Sequence, residues 1–269
     1  MSRVTTNVAK VPGGVGATAI GVAAVRARES LRRDRLFHDP HAQRFLHAAG
    51  WPTPAGEYER PDRDGLPRWN MVVLSIPIRT RFVDDCLRDA TAGGCGQVVV
   101  LGAGLDTRAF RLDWPAGTTV FEVDVPEVLA FKDSVLAGEG PRCARRVSIP
   151  ADLTLEWAAP LLAAGFDPAA PTAWVAEGLV GYLSTEQNDS VLRELGRLSA
   201  PGSRLVVTTS ADDPAASAGD GAAWLSGYGW TAASFDPAEC AAAYGRPGVF
   251  DRFEPRPSHR GYLTAVRTG

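Results

Sequence analysis

Apolar residues in this chain come in short runs separated by longer stretches of mixed character, the pattern of strands alternating with helices. The runs at 98–101, 146–149, 173–176 and 204–209, and a further one ending on Asp124, are bounded by glycine, proline or polar residues and read as buried strands. Between them, 126–138, 157–165 and 185–199 carry helical patterning. Pro126 stands early in the first, Gly165 ends the second, and Ser184 with Gln187 has the spacing of a capping box ahead of the third. Strand and helix alternate five times, which predicts an α/β fold with a mostly parallel, doubly wound sheet and helices on both faces.

The flanks are less regular. Residues 17–30 are compatible with a helix, Asp39 or Pro40 opens another through 50, and Pro77 is expected to start a helix within 69–88 that carries Arg79, Arg81, Asp84 and Asp85. Two stretches, 50–66 and 211–223, are rich in proline, glycine or small residues and read as connections, the first as a flap. Residues 224–230 are aromatic and glycine-rich, 237–244 look helical and 262–266 form a final strand. The expected organisation is a helical cap and flap over 1–90 and a nucleoside-binding domain over 91–269, together one structural unit.

Open parallel sheets bind ligands outside the carboxyl ends of their strands, where the strand order reverses. Four such ends carry distinctive residues: the Gly102-Ala103-Gly104 turn, Asp124, Asp152 and Glu177. Singly, each has a plain structural explanation as turn, cap or solvated side chain. Together they describe a nucleoside crevice, in which the glycines let backbone approach a ligand and Asp124 accepts ribose hydroxyls. The dinucleotide fingerprint requires a third glycine, where this chain has Thr107, and Asp106 lies where a diphosphate would be repelled. A nucleoside with a cationic centre and an α-amino acid tail fits better, which points to S-adenosyl-L-methionine.

Composition narrows the classes. The 269 residues carry a net charge of −3 without a Lys- or Arg-dense face, which speaks against nucleic acid as a partner. Cys86, Cys95, Cys143 and Cys240 form no C-x-x-C pair and suit a reduced, cytoplasmic protein. The apolar stretch 15–25 resembles the core of a signal peptide, but it is rich in Ala and Gly and runs straight into RARESLRRDR, so a buried helix is expected there. No run reaches the roughly 20 apolar residues of a membrane span. His38, His41 and His47 lack neighbours that would complete a metal-ligand set and read as capping and packing residues.

The segments VVVLGAGLDTRAFRL, VFEVDVPEVLAFK, ADL and WVAEGLVGYL, in that order, resemble the leucine carboxyl methyltransferase superfamily, especially its bacterial branch of S-adenosylmethionine-dependent O-methyltransferases. RESLRRDRLFHDP, IRTRFVDD and RGYLTAVR match as well, so the resemblance covers most of residues 20–267. It implies a Rossmann-like class I methyltransferase fold with an N-terminal helical cap, S-adenosyl-L-methionine as cofactor and S-adenosyl-L-homocysteine as its product. Gly102, Ala103 and Gly104 would approach the methionine part, and Asp124 with Val125 the ribose. Asp152 and Leu153 would meet the adenine, and Glu177, next to Gly178, the amino group. Arg79, or in second place Arg81, would pair with the carboxylate, helped by Arg26 or Arg28.

The implied reaction is in-line methyl transfer to an oxygen of a small-molecule carboxylate or hydroxyl of secondary metabolism, by a monomer or homodimer. Tyr182 is placed nearest the acceptor, with packing as its alternative. Family members carry a longer insertion after the fifth strand than 211–223 provides, so the acceptor is less legible than the cofactor. A nicotinamide-dependent oxidoreductase, disfavoured by Thr107, and a catalytically idle binding protein are the alternatives.

Overall fold

The computed structural model describes residues 11, 13, 15–52, 69–209, 221–251 and 261–268. Most of the expected flap at 50–66 and of the connection at 211–223 lies outside the described residues. Helices α1 (Val15–Ser30), α2 (Ala42–Ala48) and α3 (Trp69–Ala92) precede β1 (Gln97–Leu101). After β1 come α4 (Arg108–Arg111), β2 (Thr119–Asp124), α5 (Pro126–Val135), β3 (Arg145–Pro150), α6 (Ala158–Ala163) and β4 (Thr172–Glu177). The chain continues through α7 (Thr185–Arg197), β5 (Arg204–Thr208), α8 (Gly221–Ser226), β6 (Trp230–Phe235), α9 (Pro237–Ala243) and β7 (Tyr262–Arg267).

The strands form one sheet in the order β3-β2-β1-β4-β5-β7-β6, parallel from β3 to β5, with β7 antiparallel to both its neighbours. Strand order reverses between β1 and β4, which opens a crevice above their carboxyl ends. Both faces of the sheet are covered, which is why the strands read as continuous apolar runs. Val98 and Val100 of β1 enter a core shared with α1, α2, α3 and α5, while Val99 and Leu101 enter the opposite core with α6 and α7. The N-terminal helices thus share a core with the sheet, and the expected boundary at residue 90 falls inside α3.

Several local expectations hold. The capping box is formed: Gln187 N–H donates to Ser184 Oγ, and Ser184 N–H donates to the Gln187 side chain at 2.8 Å. Asp39 Oδ1 accepts from the backbone of His41 and Ala42, starting α2, and buried His41 packs edge-on against Phe110. Other expectations are corrected. Pro77 does not start α3 but lies inside it, where the proline costs one helical hydrogen bond. Residues 221–223 belong to α8, which takes in the start of the aromatic, glycine-rich stretch, and β6 begins on its last residue, Trp230. Among the described helices none is long and apolar enough to cross a membrane.

A buried ionic anchor fixes α5, and with it the exit of β2 into the crevice. Lys132 Nζ lies 2.6 Å from Glu122 Oε2, Arg146 Nη2 lies 2.6 Å from the same oxygen, and both Glu122 and Lys132 are fully buried. Without Lys132, fully buried Glu122 keeps Arg146 alone and loses one of its two cations. Lys132→Met, which keeps the stem but not the ammonium, is expected to lower stability by about 3 kcal/mol, read as the midpoint of urea unfolding.

Candidate active site

The sheet register aligns the strand ends into one row. Asp124 pairs with Pro150, Glu177 with Thr208, Thr208 with Tyr262, and Tyr262 with Phe235. Leu101 is the last paired residue of β1, so Gly102 enters this row between Asp124 and Glu177. Gly102 and Gly104 have φ of +61° and +48°, the left-handed region that glycine adopts at little cost. A Cβ on Gly102 would stand 3.1 Å from Leu179 Cδ1. The turn that the glycine spacing indicated is therefore built where β1 ends.

Asp124 is held at the rim of the turn. Its Oδ2 accepts from Gly104 N–H at 2.6 Å and its Oδ1 from Val125 N–H at 2.7 Å. A carboxylate offers about four acceptor positions, so two bonds leave capacity for a pair of ribose hydroxyls. Burial raises the Asp124 pKa, and the two amides offset this only in part. Asp152 is committed locally, with Oδ1 accepting from both Thr154 N–H and Thr154 Oγ1. The next residue, Leu153, is buried.

Glu177 is gripped by two guanidinium groups, Arg79 Nε at 2.8 Å from Oε1 and Arg108 Nη1 at 2.7 Å from Oε2. Burial alone would raise its pKa, but Arg108 and then Arg79 reverse the sign and hold it below the ordinary value. Gly178 has φ of +61°, and a Cβ there would come 3.0 Å from Arg79 Nη1, so glycine makes room for the guanidinium. Arg79 and Glu177, assigned from sequence to opposite ends of one amino acid tail, meet each other directly.

The second-choice arginine stands elsewhere. Arg81 bonds both oxygens of Asp85, donates to the Leu36 carbonyl and lies over the Tyr244 ring, because residues two apart on a helix point in different directions. Arg26 is likewise committed, to Asp39 Oδ2 at 2.8 Å and to the Leu105 carbonyl at 2.5 Å, so it secures α1 to the glycine turn. Arg28 is half-buried on the same helix. Tyr182 belongs to a short 3-10 turn and is 52% exposed, so its ring is not a core packing element.

Sequence reasoning passed over Arg108. Its Nε lies 2.7 Å from Asp84 Oδ1, its Nη1 bonds Asp106 and Glu177, and its side chain is 3% exposed. Asp106, read as a repulsive group, is held well below the ordinary carboxylate range. Burial opposes its ionisation, and Arg108, Lys132 and Arg111 outweigh burial. The signal was present in the charged Asp106-Thr107-Arg108, one residue beyond the glycines at a strand end.

The sequence profile described as leucine carboxyl methyltransferase matches residues 19–196, well over half of the chain. The chain belongs to this family. A Frankia alni protein, provisionally named as an S-adenosyl-L-methionine-dependent methyltransferase, is 47% identical over 256 residues, covering 88% of this chain and 89% of that protein. A Streptomyces avermitilis protein with the same provisional name is 44% identical over 279 residues, covering 95% and 96%. Among solved structures, one of a DUF574 family protein from Streptomyces avermitilis aligns with a TM-score of 0.47 at 15% identity, covering 88% of this chain and all of that one.

In this leucine carboxyl methyltransferase family member, Glu177 couples stability to pH with a definite sign. Its folded pKa lies below 4.5, so its contribution is complete above that value and is lost as pH falls through the folded pKa. Glu177→Gln is expected to lose about 3 kcal/mol at pH 7. The deficit relative to wild type should narrow as the pH is lowered from 4.5, and thermal melts across an acid pH series measure it.

Proposed function

We propose that this methyltransferase uses S-adenosyl-L-methionine to methylate an oxygen of a small-molecule carboxylate or hydroxyl. The observation that carries the reading is the row of Asp124, Gly102 and Glu177 along adjacent strand ends, with Arg79 standing over Gly178. The groups present fit the cofactor. Asp124 keeps acceptor capacity for two ribose hydroxyls, with Val125 beside it, and Leu153 supplies an apolar contact for adenine after Asp152. The Gly102-Ala103-Gly104 turn allows close approach of the methionine chain. Glu177 and Arg79 carry the charges complementary to an α-ammonium and a carboxylate, and a guanidinium matches a carboxylate in a bidentate fork.

When bound, the cofactor supplies an electrophilic methyl group on a sulfonium. The protein's task is then to hold the reacting atoms in line, about 3 Å apart, and to exclude water. An acceptor carboxylate, with a pKa near ~4, is already ionised at neutral pH and requires no base, whereas a phenol near ~10 does. Around the crevice, Asp106 and Glu177 are paired with arginines and Asp124 accepts two amides. This favours an acceptor that arrives ionised.

Asp124→Ala removes the ribose contact together with the bond from Gly104. At least a tenfold loss of S-adenosylmethionine affinity is expected, with the far-UV circular dichroism of the wild type retained. Isothermal titration returning the same affinity for both proteins would remove the site assignment.

A further inference from the structure

The strand-end row continues beyond Glu177 to residues that cofactor binding does not use. Thr208 follows on β5, Tyr262 on β7 and Phe235 on β6. Thr208 Oγ1 accepts from Gly178 N–H at 2.9 Å, tying this end of the row to the Glu177 turn. Tyr262 is 2% exposed, yet among the described residues its hydroxyl has no hydrogen-bond partner. A buried polar group left without a partner costs about 1–3 kcal/mol. If the ring alone were needed, phenylalanine would fill the space without that cost.

The ring that carries this hydroxyl belongs to an aromatic group. The Tyr262 ring packs on Phe82 of α3 with ring centres 4.8 Å apart, and Phe82 packs on Phe235 at 5.3 Å. Phe235 is 40% exposed, so this aromatic group reaches solvent at the end of the row. Residues paired across neighbouring strands project to the same face of the sheet, and strands lie about 4.8 Å apart. Two such spacings, about 10 Å, carry the row from Glu177 on β4 to Tyr262. Burial pushes the Tyr262 phenol well above its ordinary pKa, with Glu177 adding to the rise and Arg79 opposing it, so the hydroxyl stays protonated and acts as a donor.

We propose that Tyr262 binds the methyl acceptor, its hydroxyl donating a hydrogen bond to an acceptor oxygen while the acceptor's apolar, ring-bearing body lies against Phe82 and Phe235. The inference rests on the O-methyltransferase reading of the neighbouring site. During transfer the acceptor's ionised oxygen forms a bond to the methyl carbon as the carbon–sulfur bond breaks, and the electron pair of that bond passes to sulfur. The acceptor's negative charge and the sulfonium's positive charge are cancelled together, and Tyr262 keeps its proton. The acceptor enters from the side of Phe235, the solvent-facing ring of the three.

The test compares wild type with Tyr262→Phe in three measurements. Transfer from methyl-tritiated S-adenosylmethionine is followed with benzoate, phenylacetate, cinnamate and 4-nitrophenol as acceptors, S-adenosylhomocysteine affinity by calorimetry, and Tm of the ligand-free proteins. The expected result is transfer to at least one of these acceptors by wild type and a loss of at least tenfold in kcat/KM for the variant, carried by KM. S-adenosylhomocysteine affinity should stay within twofold and Tm unchanged or raised. Equal kcat/KM in the two proteins overturns the inference. So does a fall of several degrees in Tm, since the hydroxyl then has a partner inside the fold, and so does a wild type that binds S-adenosylhomocysteine but methylates none of the four. A wild type that fails to bind S-adenosylhomocysteine brings down the underlying O-methyltransferase reading as well.

Discussion

The site depends on one buried guanidinium. Arg108 carries a full charge at 2% exposure, a condition that is stable only with close, well-placed anions. Its anions come from three parts of the chain: Asp84 on α3, Asp106 in the turn after β1, and Glu177 at the end of β4. Arg111 adds two contacts to Asp84, and Arg79 closes on Glu177. Docking of α3, the shape of the glycine turn and the direction of Glu177 are thereby set by a single neutralisation requirement. A change in any of the three carboxylates is felt by the other two through Arg108.

The sheet divides this labour. Its parallel half supplies the turn and the acidic strand ends, which exist because every parallel strand there delivers its carboxyl end to the same side. Its antiparallel half reverses direction, so it is the beginning of β7 that comes to that side. Tyr262 therefore meets the ends of β4 and β5 although it lies close to the end of the sequence. Small residues on β6, Ala232 and Ala233 among them, leave the ring of Phe235 as the large apolar group at this corner.

The parallel core was legible because its signals are local. Buried strands require apolar residues on both faces, the turn requires glycine, and Ser184 with Gln187 can satisfy each other's backbone without help from distant residues. Gly102, Asp124 and Glu177 follow from the same logic, each lying one step past an apolar run, with Gly104 completing the turn that Gly102 opens. What escaped depends on distant partners. Pro77 suggested a helix start because its own chemistry favours one, but packing of α3 on the sheet carries the helix through it. Sequence reasoning ranks Arg79 ahead of Arg81, and the helical phase that brings Arg79 to Glu177 turns Arg81 to Asp85. Arg108 was passed over because its role shows only when Asp84, 24 residues away along the chain, is brought to its side. Between Trp230 and Phe235, β6 carries only small or polar residues, so its strand character comes from pairing with β7 rather than from its composition.

Helix α1 is seated directly on the glycine turn, with the Cβ of Ala19 3.6 Å from where a Cβ on Gly104 would stand and Arg26 bonded to both Asp39 and the Leu105 carbonyl. Lifting this helix strands a buried carboxylate and a backbone carbonyl at the same moment. Separating a buried ion pair of this kind costs about 3 kcal/mol or more, which at equilibrium leaves fewer than about one molecule in a hundred with the helix raised. α1 is thereby a fixed wall of the glycine turn rather than a door.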